Sequence, residues 1–396
     1  MNRPEFHLFL SARRVGAVLL AFAALALHAC GGGVEGQGTG SVSYSEGPIG
    51  GFGSVIVNGV HFDDSQARIV DTDGNTLRSA DLKLGMTVQI DAGAIDPASL
   101  TAVAKTITVG SDLTGPVSAN DLGTSTLTVL GQPVRVTAST VFDDRLAGGQ
   151  AAVAVGSVVE VFAIYDPVSG VYAARRIEPE PAPASYRIRG QVSSLDTTAK
   201  TFRIGSQVFT YSTAPADGQI TRFQLATTPN GSGQWVVSAQ SQGTRTPPDD
   251  SDVEIESVIS AYTSNADFTV NGLKVDASAA RIEPAGAVLA AGLRVEVEGT
   301  MKAGVLVADK VEVKGSGDDG GDDDGGGQEI EIAGRITAID TSAKTFVVRE
   351  QTVSYAAAAF EGGTEADLAV DTKVEVKGQL SDDGTVVVAD EVKIDD

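Results

Sequence analysis

The feature that most restricts how this chain can fold is a pattern that repeats five times. Each copy holds five short segments in which apolar and polar residues alternate, joined by Gly, Asn and Asp turns; in the first they include 54–62, 84–90 and 102–109, and in the fourth 268–275, 291–299 and 305–313. The copies open near positions 50, 115, 190, 257 and 334, spaced 65 to 77 residues apart, with glycine at four of these and Ser257 at the fifth. Alternation such as Val295-Glu296-Val297-Glu298 turns valines to one face and carboxylates to the other, which marks a half-buried strand and not a helix. Asn58-Gly59 and Asn271-Gly272 are tight hairpin turns, since both residue types tolerate positive φ. A longer connection between the third and fourth strands ends at Gly85, Gly156 or Gly292. Five strands with that connection, in about 60–65 residues, predict a closed barrel of OB type. The expected fold is therefore all-β: a tandem array of five small OB-like five-stranded β-barrels behind a signal peptide, with SH3-like barrels as the alternative. Each barrel alone would have a modest core.

Pattern lapses set the expected boundaries. They are a signal peptide at 1–29, a Gly/Ser-rich tether at 30–45, and barrels at 46–110, 111–178, 186–243, 252–314 and 329–396. Between them lie a Pro-rich spacer at 179–185, a short linker at 244–251 and a Gly/Asp linker at 315–328, the last expected to be disordered. The third copy is the most degenerate, offering 220–225 and 235–239 where the others have a clear Gly-x-x-Val-x-Val strand.

The hairpin Val57-Asn58-Gly59-Val60-His61-Phe62, with Ala67-Arg68-Ile69 and Leu82-Lys83-Leu84-Gly85-Met86, is similar to the tandem repeats of domain of unknown function 5666 in proteobacterial envelope lipoproteins. Weaker echoes recur at Thr140-Val141-Phe142, Ala280-Arg281-Ile282 and Ala359-Phe360-Glu361. The resemblance covers about 46–396, strongest in the first copy and weakest in the third. It implies OB-like barrels and an envelope location, and it brings no activity, ligand or catalytic residue.

The N-terminus points the same way. Arg3, Arg13 and Arg14 precede an apolar run of thirteen residues, 15–27, too short for a membrane span of about 20 residues and suited to a secretory signal. Leu27-His28-Ala29-Cys30 resembles the lipobox of bacterial lipoproteins, in which the cysteine is acylated, palmitate being one of the chains, and becomes the mature N-terminus. More than one acyl chain gives stable anchoring. Gly31 after the cysteine implies, for signals of this kind, sorting to the outer membrane.

Processing at Cys30 removes three Arg and one Glu, leaving 26 basic and 51 acidic residues, a net charge of −25, and His61 as the one histidine. That charge has the wrong sign for nucleic acid. The single cysteine forms no intrachain disulfide, and His/Cys zinc sites and Cys-His dyads lack their residues. His61 alternates away from Val60 and Phe62 and reads as an exposed strand histidine. Gly31–Gly36 spells G-x-G-x-x-G without a preceding strand, so it is no dinucleotide fingerprint. Asp71-Thr72-Asp73-Gly74-Asn75 reads as an Asp-Gly turn rather than a calcium loop. Asp322, Asp324 and Glu331 fall on EF-hand loop positions, but Gly320 stands at the first; they are weak metal candidates in a solvated spacer. No cofactor is expected.

Strand carboxylates Glu160, Glu296, Glu298 and Glu375 read as solvated outer faces, and Phe202, Phe268 and Phe346, recurring at one repeat position, read as core. Trp235 alone could offer an exposed platform. The expectation is a non-enzymatic lipoprotein, a membrane-tethered array that binds or spaces envelope proteins or polysaccharide. The alternative is an envelope hydrolase using carboxylates or a Ser/Lys pair.

Overall fold

Alternation becomes strands in every copy. The computed structural model describes residues 42–316 and 330–395. The signal peptide, Cys30, tether residues 31–41, and Asp322 and Asp324 of the acidic linker lie outside the described residues. Among the described residues there is no α-helix, only strands and four short 3-10 turns.

In the first copy, β1 (Ser43–Phe52), β2 (Val55–Val57) and β3 (Val60–Asp63) form a meander, followed by β4 (Arg68–Asp71), β5 (Thr87–Ala92) and β6 (Thr101–Val109). β1 pairs antiparallel with β2 and with β5, β5 with β6, and β3 runs parallel to β6, so the sheet closes in the order β1-β2-β3-β6-β5. The short β4 continues along β6. Meander, then a parallel return and antiparallel closure onto the first strand, is the OB order, and it sets aside the SH3-like alternative. The same pairing recurs in the other four copies, which open with Leu113–Asp121, Tyr186–Gln191, Asp252–Ser264 and Ile330–Asp340. In the degenerate third copy, Ile220–Leu225 and Trp235–Gln242 supply the last two strands, as the sequence suggested. Asn271 and Gly272 have φ of 47° and 78°, the positive pair that a two-residue hairpin needs.

The barrels are joined through their opening strands. In this topology each half of the first strand is paired along one edge and open along the other, and an open edge invites further pairing. Here Ser43–Glu46 pair with Asp252–Ile255 of barrel 4, Gly51 and Phe52 pair with Glu331 and Ile332 of barrel 5, and Leu113 and Thr114 pair with Ile188 and Arg187 of barrel 3. Gly51 permits one of these seams: a Cβ there would lie 2.4 Å from the Glu331 carbonyl oxygen. Ser43, Tyr44 and Ser45, read as tether from their composition, are thus strand residues at a seam. The Pro-rich stretch does not hold barrels 2 and 3 apart, because their opening strands pair directly. The 244–251 linker is likewise docked, with Arg245 bridging to both carboxylate oxygens of Asp91 at 2.7 and 2.8 Å.

Packing follows the same grouping. Barrels 1 and 5 share one apolar cluster, from Phe52 and Phe62 to Ile332 and Phe346; barrels 2 and 3 share another; barrel 4 has its own, entered by Tyr44 of barrel 1. Phe202, Phe268 and Phe346 are buried, as expected of core sites. Pooling cores is the physical remedy for the small interior of a single barrel of this length.

Candidate functional site

Where barrels 1, 2, 4 and 5 come together they leave an open groove of about 1180 Å³. One wall is the outward face of three adjacent strands of barrel 4. Val253, Ile255, Val295 and Val297 fill that barrel's core, so alternation turns Glu254, Glu256, Glu296 and Glu298 outward. Register sets Glu254 directly opposite Glu298, and Glu256 opposite Glu296. Carboxylate oxygens of Glu254, Glu296 and Glu298 lie within 4.8 Å of one another. Like charges facing across a strand pair are unfavourable, and cations gather around them. Lys310 meets Glu298 at 2.6 Å, Lys314 meets Glu296 at 3.2 Å, and Arg175 of barrel 2 meets Glu256 at 2.9 Å. Glu254 receives only the Ser45 hydroxyl of barrel 1, at 3.4 Å, among the described residues. Burial pushes the Glu254 carboxyl up to about 8, and the charges of Glu296 and Glu298 add to the shift. Burial also raises Glu296, against the opposing pull of Lys314.

These positions correct the expectation of solvated outer faces. Glu296, like its neighbour Glu254, is only 7% exposed, Glu160 is half-buried with its pKa raised by burial, and Glu298 and Glu375 are half-buried. Their strands do face away from their own barrel, but a neighbouring barrel covers them. His61 does turn away from the buried Val60 and Phe62; it is half-buried and lines the same groove. Glu331 lines it too, from the opening strand of barrel 5. Trp235 is half-buried and stands edge-on to Tyr186 at 5.4 Å, so it is a packed residue and not an open platform. Asp71 caps its own turn by accepting from the N–H groups of Asp73 and Asn75, and Asp73 pairs with Arg187 of barrel 3, so that loop is a docked Asp-Gly turn.

Sequence reasoning missed two polar junctions. At the first, Arg189 of barrel 3, 7% exposed, donates to Asp112 at 3.1 Å, to the Gly243 carbonyl and to the Asn271 side chain of barrel 4. Asn271 in turn donates to Glu46 of barrel 1 at 2.8 Å, and Tyr44 donates to the other oxygen of Glu46 at 2.7 Å. Burial opposes the charge on Arg189, but the Asp112 and Glu46 carboxylates outweigh it and raise its pKa. Nearby Arg222 is pulled down by burial to about 10. The junction encloses a cavity of about 50 Å³, room for little more than water. At the second, Arg176 donates to Glu178, to Asp143 at 3.1 Å and to the Leu84 carbonyl of barrel 1 at 3.3 Å. Lys83 of barrel 1 reaches Asp143 at 3.5 Å and Glu350 of barrel 5 at 3.0 Å. Burial works against the charge on Asp143, but hydrogen bonds from Arg145 and the charges of Arg176 and Lys83 hold its carboxyl at about 2. The legible signal for both junctions was an arginine inside a strand, Arg189 in Tyr186–Gln191 and Arg176 in Val171–Pro179.

Comparison with known proteins agrees with this architecture in three places. Residues 114–178, 256–320 and 333–393 each match the model of a family described as a domain of unknown function (DUF5666). Three of the five barrels are therefore similar to repeats of this family. Barrels 2, 4 and 5 are the matched copies. Barrel 1, where the sequence resemblance looked strongest, falls outside the matches, as does the degenerate barrel 3. These two have the longest loops in their final hairpin, 93–100 and 226–234. No curated protein matches the chain.

Proposed function

We propose that this DUF5666-repeat protein is a non-enzymatic lipoprotein of the bacterial cell envelope, held on the outer membrane through Cys30, whose barrels act together as one docking body. The observation that carries the reading is the charged groove between barrels 1, 2, 4 and 5. A recess built from four repeats belongs to the assembly and not to any repeat, so repetition here serves to build a surface. Its partner is an envelope protein or polysaccharide. The lipobox-like Leu27-His28-Ala29-Cys30 supports the anchor.

Two experiments test this. Cells given labelled palmitate should mark the wild-type protein and not C30A; equal labelling would refute the anchor. A photo-crosslinking residue placed at His61 or Lys377, which line the groove, should trap an envelope component in intact cells. The same residue at Val168, exposed at a hairpin of barrel 2 and absent from the groove lining, should trap none. Equal yields at all three would refute groove docking.

The hydrolase alternative draws on one observation, a raised carboxyl, Glu254, beside the carboxylates of Glu296 and Glu298. Against it, Glu296 and Glu298 are held in lysine ion pairs, as a structural carboxylate would be. Loss of a glycan- or ester-cleaving activity in E298Q would revive it.

A further inference from the structure

The carboxylates of the groove wall lie beside the seam between barrels 1 and 4. The barrel 4 opening strand is paired on one edge with the strand that carries Glu296 and Glu298, and on the other with Ser43–Glu46 of barrel 1. Ser45 is the register partner of Glu254 across that seam, and it is buried. Three carboxylate side chains converge within 4.8 Å, two of them 7% exposed, and the ion pairs around them leave Glu254 with a hydroxyl and no ion pair of its own among the described residues, only the weaker pull of the nearby Lys310 charge. With Glu298 and Glu296 each answered by a lysine, a third full negative charge on Glu254, at that spacing and burial, calls for a further positive charge or a proton.

The groups facing Glu254 are these. Its own strand brings Asp252 and Glu256, the latter already paired with Arg175. The neighbouring strand brings Glu296 and Glu298 together with Arg294, which reaches Glu256 at 3.7 Å. The last strand of barrel 4 brings Asp309 together with Lys310, Glu312 and Lys314, and both lysines are shared between two carboxylates each. Barrel 1 brings Ser45, while the Glu46 carboxylate is turned to Tyr44 and Asn271. Across the open groove stand His61, Glu331 and Lys377. Acid outnumbers base on Glu254's own strand and on its neighbour, and the two balance on the last strand.

We propose that the Glu254–Glu296–Glu298 cluster holds one proton at neutral pH, and that releasing it to solvent loosens the seam where Ser43–Glu46 of barrel 1 pair with Asp252–Ile255 of barrel 4. The proton resides chiefly on Glu254, in keeping with the upward shift of its pKa to about 8. Once it leaves, the third charge is relieved by parting the two opening strands, which admits water to Glu254 and widens the groove. The switch works through the barrels alone and does not depend on what the groove binds or on the lipid anchor.

The test is backbone amide exchange of the full mature chain, expressed as protection factors so that the intrinsic pH dependence cancels. Protection at 43–46 and 252–255 should fall by about tenfold or more between about pH 6 and about pH 9, while the barrel 3 core strand at 201–204 changes little. E254Q, which keeps the shape of the neutral carboxyl, should hold that protection flat. Identical pH profiles in wild type and E254Q would overturn the proposal. Should E254Q fail to fold, carboxyl carbon NMR of the wild-type glutamates decides: a buried glutamate titrating well above the ordinary carboxylate range supports the proposal, and its absence overturns it. Millimolar calcium is the remaining arm. An unchanged profile supports a proton site, whereas seam protection at high pH restored by calcium and lost to chelator would make the cluster a cation site and overturn it.

Discussion

Replacing Arg189 with methionine tests whether the barrels stand or fall together. The substitution keeps the aliphatic volume and removes a charge that sits at the meeting point of barrels 1 to 4. It strands Asp112, 3% exposed, whose remaining direct donor is the Ala163 N–H at 3.1 Å, and it removes the donor from Asn271 and from the Gly243 carbonyl. Removing one member of a buried ion pair costs about 3–5 kcal/mol, because the other charge is left buried. Each orphaned acceptor would cost about 1–3 kcal/mol by itself, though these overlap with the first figure and do not add to it. We expect R189M to lose about 3–5 kcal/mol, and the double mutant R189M/D112N to recover at least about 1.5 kcal/mol of that, the coupling energy of a contacting pair. Urea unfolding followed by two probes reads both quantities. Trp235, the one tryptophan, reports on barrel 3, and far-ultraviolet circular dichroism reports on all strands. In R189M both transitions should move to lower urea together. A loss under about 1 kcal/mol, or a shift in tryptophan fluorescence alone, would refute the reasoning, because barrels that unfold independently cannot be locked by this residue.

Three further outcomes follow from particular contacts. F202A should cost about 3–5 kcal/mol and F202L about 1–2 kcal/mol in the same urea assay, since Phe202 is fully buried between Phe209 and Phe223 at ring distances of 5.3 and 4.7 Å. G51A should cost about 1–3 kcal/mol, because its Cβ would strike a backbone oxygen of barrel 5 that no rotamer change can move; trypsin should then cut after Arg335, on the opening strand of barrel 5, faster than in wild type. The Asp143 carboxyl, held at about 2, is more acidic folded than unfolded, so its contribution is complete above the ordinary aspartate pKa and is lost as pH falls toward 2. That loss is about 2 kcal/mol between about pH 4 and about pH 2, and thermal melts of D143N should show a shallower fall than wild type over that window.

The barrels were legible because their determinants are local. Alternation with period two, Asn-Gly turns and recurring Phe at 202, 268 and 346 all act within a few residues, and the closed order of strands follows from a short meander and one longer connection. Even the third copy, which lacks the Gly-x-x-Val-x-Val strand, keeps enough alternation at 220–225 to close. How the barrels join was not legible. Ser43-Tyr44-Ser45 has the composition of a tether, and only a partner strand more than two hundred residues away in sequence makes it a seam. Pairing at such separation leaves no trace in a window the length of one repeat.

The groove was missed for a more specific reason. Alternation reports which side of a strand faces its own barrel, and it is silent about what lies on the other side. In a lone barrel the outer carboxylates of Glu254, Glu296 and Glu298 would be solvated and their spacing would matter little. Laying barrel 1 along the edge of that sheet changes their solvent without changing their order in the chain, and the burial of Glu254 and Glu296 disfavours their charged forms. Selection for solubility favours acid on an outer face, while a seam built on that face penalises it. Three acids placed there, with Lys310 and Lys314 offsetting two of them, are more than a structural role alone requires. A seam needing only cohesion would have placed valine or threonine at Glu254, opposite Ser45, at no cost to barrel 4.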